Sequence, residues 1–134
     1  AAEVVGDAAL FEKCQEVCVR IADAVLRRGT DTDGGIFNES HAHGQRIDRR
    51  KFWWPQAEAL VGFSDARQIS GKARFGEAAE RVWRFIDHHI ADRVQGEWRT
   101  EAFASDPEED RKITGWKTPY HNGRACLEMI RRLG

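Results

Sequence analysis

The chain has 134 residues, of which 41% are hydrophobic and 32% charged, the make-up of a folded domain with one core. Its net charge of -1, with both signs interspersed, excludes the clustered basic surface that nucleic acid or an anionic membrane needs; Arg49-Arg50-Lys51 and Arg131-Arg132 are too short to change this. No apolar run approaches the ~20 residues of a membrane span and no basic segment leads into an apolar signal core, so the reading is a cytoplasmic chain.

Apolar side chains at Leu10, Cys14, Val17, Ile21 and Val25 repeat at helical period, which predicts a first helix from about Asp7 to Arg28, stopped at Gly29. Cys14 and Cys18 lie one turn apart on that stripe and read as core thiols. An odd total of three cysteines without a secretory signal favours reduced thiols over a disulfide framework. A long polar connection follows, Thr30 to Arg50, in which Ile36-Phe37 can pair as extended chain. Within it, Asp31-Thr32-Asp33-Gly34-Gly35 resembles a calcium loop superficially, but Ala42 stands where the twelfth-position Glu belongs, and a plain turn is preferred. His41-Ala-His43 lacks a spaced carboxylate or thiol partner and is a low-specificity metal signal.

Pro55 opens a second helix running to about Ser70, with Gly71 as its stop. A third spans roughly Lys72 to Ala91 through Phe75, Ala79, Val82, Trp83, Ile86 and Ile90, with His88 and His89 late enough to favour its dipole. Asp92 to Thr118 is a second long connection containing the acidic run Asp106-Pro107-Glu108-Glu109-Asp110, a solvated loop. A fourth helix starts near Pro119 and continues through Leu127, Ile130 and Leu133.

These pieces repeat. Gly35-Ile36-Phe37-Asn38-Glu39 follows helix one as Gly96-Glu97-Trp98-Arg99-Thr100-Glu101 follows helix three, 61 residues apart at the glycines and 64 at the prolines. Helix, long loop, helix in each unit predicts an all-α chain of stacked helical hairpins, one domain over 1–134 with units of about 7–70 and 72–134. A two-hairpin array leaves both ends apolar, to be covered by further hairpins of a longer chain or by other copies, so a homo-oligomer through exposed hairpin faces is a candidate assembly.

Two constellations can carry chemistry. Trp116-Lys117-Thr118-Pro119-Tyr120-His121-Asn122-Gly123-Arg124 gathers aromatics, an imidazole and cations at a helix start, with His121 in the first turn. His121 is the histidine assigned proton transfer, because an unperturbed pKa of about 6.5 suits acid or base work near neutrality. In the first unit Phe52-Trp53-Trp54-Pro55-Gln56-Ala57-Glu58 holds the corresponding place. Trp54 and Glu58, four residues apart, share a helix face, an aromatic platform beside a carboxylate that accepts hydroxyl hydrogen bonds. Trp116 offers a second flat apolar face for sugar C–H groups. The alternative for these residues is plain packing, with Glu58 paired to a nearby arginine.

With those residues in view, the chain resembles the C-terminal part of the N-acylglucosamine 2-epimerase superfamily, nearest its cellobiose 2-epimerase branch. The resemblance rests on Lys51-Phe52-Trp53-Trp54-Pro55-Gln56-Ala57-Glu58-Ala59, on Gly96-Glu97-Trp98, and on Trp116 through Glu128. It implies part of an α/α toroid of about six hairpins, about four helices of it here, with a mono- or disaccharide at the ends of the inner helices. It further implies His121 as catalytic acid or base, Trp54 and Trp116 as sugar contacts and Glu58 as a hydrogen-bonding site residue, with no metal or redox cofactor. The implied reaction is C2 epimerisation through an enediolate, or aldose–ketose isomerisation through the same intermediate. The family's second catalytic histidine and its arginine belong, by the same resemblance, to helices upstream of the matched segment. The rival from another class is a truncated, non-catalytic helical-repeat module that binds sugar weakly or oligomerises.

Overall fold

In a computed structural model of the chain, residues 2–40, 47–106 and 111–134 are described, residues 2, 3 and 40 by their backbone alone. A short turn of helix, α1 (Ala2–Val5), precedes α2 (Ala8–Arg28), which starts where Asp7 accepts the Leu10 N–H at 3.0 Å. Helix α3 (Trp53–Ser70) carries Pro55 in its first turn, where a missing N–H costs nothing. It ends at Gly71, whose φ of 69° is the left-handed stop that glycine adopts freely. Helix α4 (Ala73–Phe85) runs on into a π-helical turn, Ile86–Ile90, and α5 (Tyr120–Leu133) begins directly after Pro119.

Helix α3 is the hub, packing against α2, α4 and α5. Ala57, Leu60, Phe63 and Ala66 from α3 meet Phe75, Ala78, Val82 and Phe85 from α4, all at most 2% exposed. Phe63 and Phe75 stack at 6.5 Å between ring centres. Contacts between α3 and α5 climb together, Glu58 to His121, Ser64 to Met129 and Asp65 to Arg132. The two helices therefore run parallel and present their N-termini at one end.

The described parts of the long connections are held by specific contacts. Among the described residues two antiparallel two-stranded sheets form, β1 (Glu39–Ser40) with β2 (Ile47–Asp48) and β3 (Lys51–Phe52) with β4 (Glu101–Ala102). The β3–β4 pair ties the first connection to the second immediately before α3, and Trp53 N–H donates to Thr100 C=O at 3.0 Å. Gln56, fully buried, uses its amide as a staple: Oε1 accepts the Ile36 N–H at 2.7 Å, and Nε2 donates to the carbonyls of Ile36 and Phe52. Gly35 sits where a Cβ would meet Lys51 Cδ and the Phe85 ring at 2.8 Å, so no larger residue fits.

The internal repeat extends to particular interactions. Thr30 bridges Ile36 as Ala91 bridges Trp98. Lys51 Nζ meets Asp31 at 2.8 Å, and 61 positions on, Lys112 Nζ meets Asp92 at 2.7 Å. The Asp31–Gly35 segment is a turn whose Asp31 and Asp33 carboxylates both clamp the buried Lys51 ammonium, a role with no cation to bind beyond the lysine.

One expectation is overturned. Cys14 and Cys18 are exposed, as are Leu10, Val17 and Ile21, the last at 59%. The inward face of α2 is instead Val19, Ala22 and Leu26, one position further round the helix. Small Ala22 lets α2 approach α3 closely, and the bulkier apolar row is turned to the opposite side. The same inversion holds in α5, where Asn122 and Ala125 are buried while Leu127, Ile130 and Leu133 are 68–80% exposed.

Candidate active site

The first turns of α3 and α5 meet in one cluster. His121 Nδ1 lies 2.9 Å from Glu58 Oε1, and Arg124 Nη2 donates to Glu58 Oε2. Partial burial pushes the Glu58 carboxyl up, but the hydrogen bonds from His121 and Arg124 outweigh it and hold the pKa below the usual carboxylate range. An ionised carboxylate only accepts hydrogen bonds, so Nδ1 carries the proton facing it and the neutral ring presents a basic Nε2 elsewhere. The carboxylate also stabilises the imidazolium that forms when Nε2 takes a proton.

Aromatic rings surround this imidazole. Trp54 stands 6.3 Å from it at 47°, Trp53 6.5 Å away edge-on and Tyr120 5.1 Å away edge-on. His121 and Glu58 keep 34% and 40% of their side-chain surface exposed, enough for a ligand to reach them. Helix α3 supplies the platform and the carboxylate because Trp54 and Glu58 are one turn apart; α5 supplies base and cation because His121 and Arg124 are three apart.

Of the four residues singled out in sequence, His121, Trp54 and Glu58 are brought together. Trp116 is not: it is 92% exposed on the turn before α5. Sequence reasoning offered a nearby arginine for Glu58 as the alternative to sugar binding without saying which; the structure gives Arg124, in the same cluster as His121. Sequence reasoning missed a partly buried polar cluster at the start of α5, where Glu97 Oε1 accepts from Lys117 Nζ at 3.0 Å and from Asn122 Nδ2 at 2.7 Å.

Elsewhere, His88 and His89 occupy the π-helical turn, with His89 between Phe85 and Phe103 at 5.0 and 4.9 Å. Among the described residues no group of three or more His, Cys, Asp or Glu side chains could hold a metal ion; His41 and His43 lie outside the described residues, as do Pro107 to Asp110 of the acidic run. No described helix is long and apolar enough to cross a membrane. A separate cavity of about 690 Å³ between α3, α4 and α5 is lined by Trp83, Met129, Arg67, Arg131 and Arg132, whose guanidinium groups are engaged by Gly71 C=O, Glu128 and Asp65.

Residues 7–125 match the model of the N-acylglucosamine 2-epimerase (GlcNAc 2-epimerase) family. The chain belongs to that family. Within it, the chain is 39% identical to a cellobiose 2-epimerase from Ruminococcus albus across 98% of its own length and 34% of that protein. A solved sugar epimerase from a ruminal bacterium superposes with a TM-score of 0.83 at 37% identity, covering 98% of this chain and 34% of that one. A D-mannose isomerase from Marinomonas mediterranea is 25% identical over 83% of the chain and 29% of its own length. The chain thus spans about a third of the length of the relatives it matches.

Proposed function

We propose that this chain supplies one side of the active site of a sugar 2-epimerase, with His121 as the proton-transfer group and Trp54, Glu58 and Trp116 as saccharide contacts. The observation that carries the reading is the Glu58–His121 hydrogen bond of 2.9 Å beneath an open aromatic wall. A carboxylate-oriented imidazole at the mouth of a cluster is the arrangement that proton abstraction beside a carbonyl requires.

In the open-chain sugar, Nε2 of His121 takes the proton from C2. The C2–H electron pair forms a C1=C2 double bond and the carbonyl electrons move onto O1, giving an enediolate. A proton returned to the opposite face of C2 completes epimerisation, and a second group must deliver it. The developing negative charge needs a cation or hydrogen-bond donors nearby. Trp54 offers its face to sugar C–H groups beside His121, and Trp116, exposed on the turn before α5, would meet the sugar from outside the cluster. Beyond His121 the opposite-face group and the oxyanion donors come from outside this cluster, in keeping with a C-terminal third of an α/α toroid.

Likeness to the D-mannose isomerase favours a second reading within the same chemistry. On that reading the O2 proton passes to O1, the O2 electron pair forms C2=O, and the C1=C2 pair takes a proton at C1, so the product is a ketose.

Proton NMR in heavy water, with cellobiose, mannose, glucose and N-acetylglucosamine in turn, tests both. C2-proton loss with retention of an aldose supports epimerisation, whereas a ketose product supports isomerisation. His121→Ala is expected to cut exchange by roughly 10²–10⁴-fold while sugar-induced chemical-shift changes persist. Exchange that survives in His121→Ala would exclude its proposed role, and folded wild-type protein that exchanges no sugar would mean that the chain by itself is either a fragment of the site or a non-catalytic binding module.

A further inference from the structure

At the start of α5 lies a polar cluster, Glu97 with Lys117 and Asn122, that the proton-transfer reading does not use. Glu97 sits at φ 64°, left-handed backbone that a residue with a side chain rarely adopts. Gly96 before it is also left-handed, at 73°. This unusual pair of residues aims the Glu97 carboxylate into the start of α5. There a single oxygen, Oε1, accepts from Lys117 Nζ and Asn122 Nδ2. Lys117 is fully buried and Asn122 is 6% exposed, so the two flank His121 in sequence with anchored side chains.

The anchoring is complete on three sides. Lys117 Nζ also stands 5.5 Å from the centre of the Trp53 ring, and Trp53 meets the His121 ring edge-on. The Lys117 N–H is held by Thr114 Oγ1 at 2.9 Å in the turn that leads to Pro119. Partial burial pushes the Glu97 carboxyl up, yet the Trp98 N–H, Lys117 and Asn122 outweigh it, and it titrates below the usual range. The ion pair is buried on the Lys117 side and open on the Glu97 side; burying the ammonium offsets much of the attraction, so the geometry the pair imposes matters more than its net stability.

We propose that Glu97 is a positioning residue for His121: by gripping Asn122, with Lys117 locking its carboxylate, it sets the rotation of the first turn of α5 and so keeps His121 Nδ1 on Glu58. This rests on the reading of His121 as the proton-transfer group, but concerns how that ring is held. Asn122 follows His121 directly and points inward while His121 points to the mouth. Rotation of α5 about its axis would therefore carry both side chains together.

The test is the tautomer of His121, read in the full chain near pH 7.5 by long-range ¹H–¹⁵N correlation, with His121→Ala identifying its signals. The wild-type ring is expected to be predominantly Nδ1–H. Glu97→Ala should lose that dominance, and where wild type exchanges sugar protons, kcat should fall by up to about 100-fold with KM unchanged. Glu97→Gln retains an acceptor for Asn122 and should restore the Nδ1–H form. Should Glu97→Ala not fold, Asn122→Ala severs the same link while leaving Lys117 and Glu97 paired, and is expected to lose the tautomer likewise. A folded Glu97→Ala or Asn122→Ala protein that keeps the wild-type tautomer, or that raises KM while kcat holds, overturns the proposal. The tautomer needs no turnover, so a wild type without exchange bears on the activity of the isolated chain and leaves this test standing.

Discussion

At the scale of single residues the decisive pair is Glu58 and His121, 63 positions apart in the chain and 2.9 Å apart in space. Because the folded Glu58 carboxyl titrates below its ordinary value of 4.5, its interactions stabilise the fold above that value and are lost as pH falls through the lower, folded pKa. Wild type should therefore have a higher Tm than Glu58→Gln from neutrality down to about pH 4.5, with the gap closing further into acid. Thermal scans of both proteins between pH 7 and 3 check this, and a gap that widens on acidification would contradict it. In the exchange assay Glu58→Gln should lose about 100-fold or more, because an amide can donate as well as accept and no longer selects the Nδ1–H ring. His121, Trp54 and Glu58 were readable from type and spacing. Arg124 was readable only in part, since nothing in sequence says which carboxylate a surface arginine will take.

At the scale of elements, prolines and glycines made the helices legible. Pro55 and Pro119 mark the starts of α3 and α5, and Gly29 and Gly71 the stops of α2 and α3. The third helix was read as one α-helix to Ala91, but its last turn is π-helical, keeping both Ile86 and Ile90 fully buried; periodicity over five residues does not separate the two forms. The connections were the least legible, because their order comes from long-range bonds. Gln56 is the clearest instance, as its three hydrogen bonds hold the first connection to the head of α3. Gln56→Ala would leave the Ile36 N–H and C=O buried without it, and should lower unfolding stability by about 2–4 kcal/mol. Denaturant titration gives the number, and a loss below about 0.5 kcal/mol would mean that water or a shifted backbone replaces the staple.

At the scale of the whole molecule, the exposed rows Leu10, Val17, Ile21 on α2 and Leu127, Ile130, Leu133 on α5 are surfaces that water solvates poorly. The expected outcome is self-association of the chain, read by sedimentation velocity over a concentration series. Replacing Leu127, Ile130 and Leu133 together by Gln, a good helix former, should reduce association and leave the fold intact; wild type that stays monomeric throughout would remove the idea. Sequence by itself determined the helical class, the places where helices begin and end, the repeat, and the chemical kinds present at the site, because these depend on local backbone preference and residue type. Tertiary structure alone decided which face of α2 turns inward, which carboxylate orients His121, and that Glu97 reaches Lys117 and Asn122. Those outcomes depend on how closely helices approach and on partners 20 to 66 residues away, and no local pattern encodes a distance between elements.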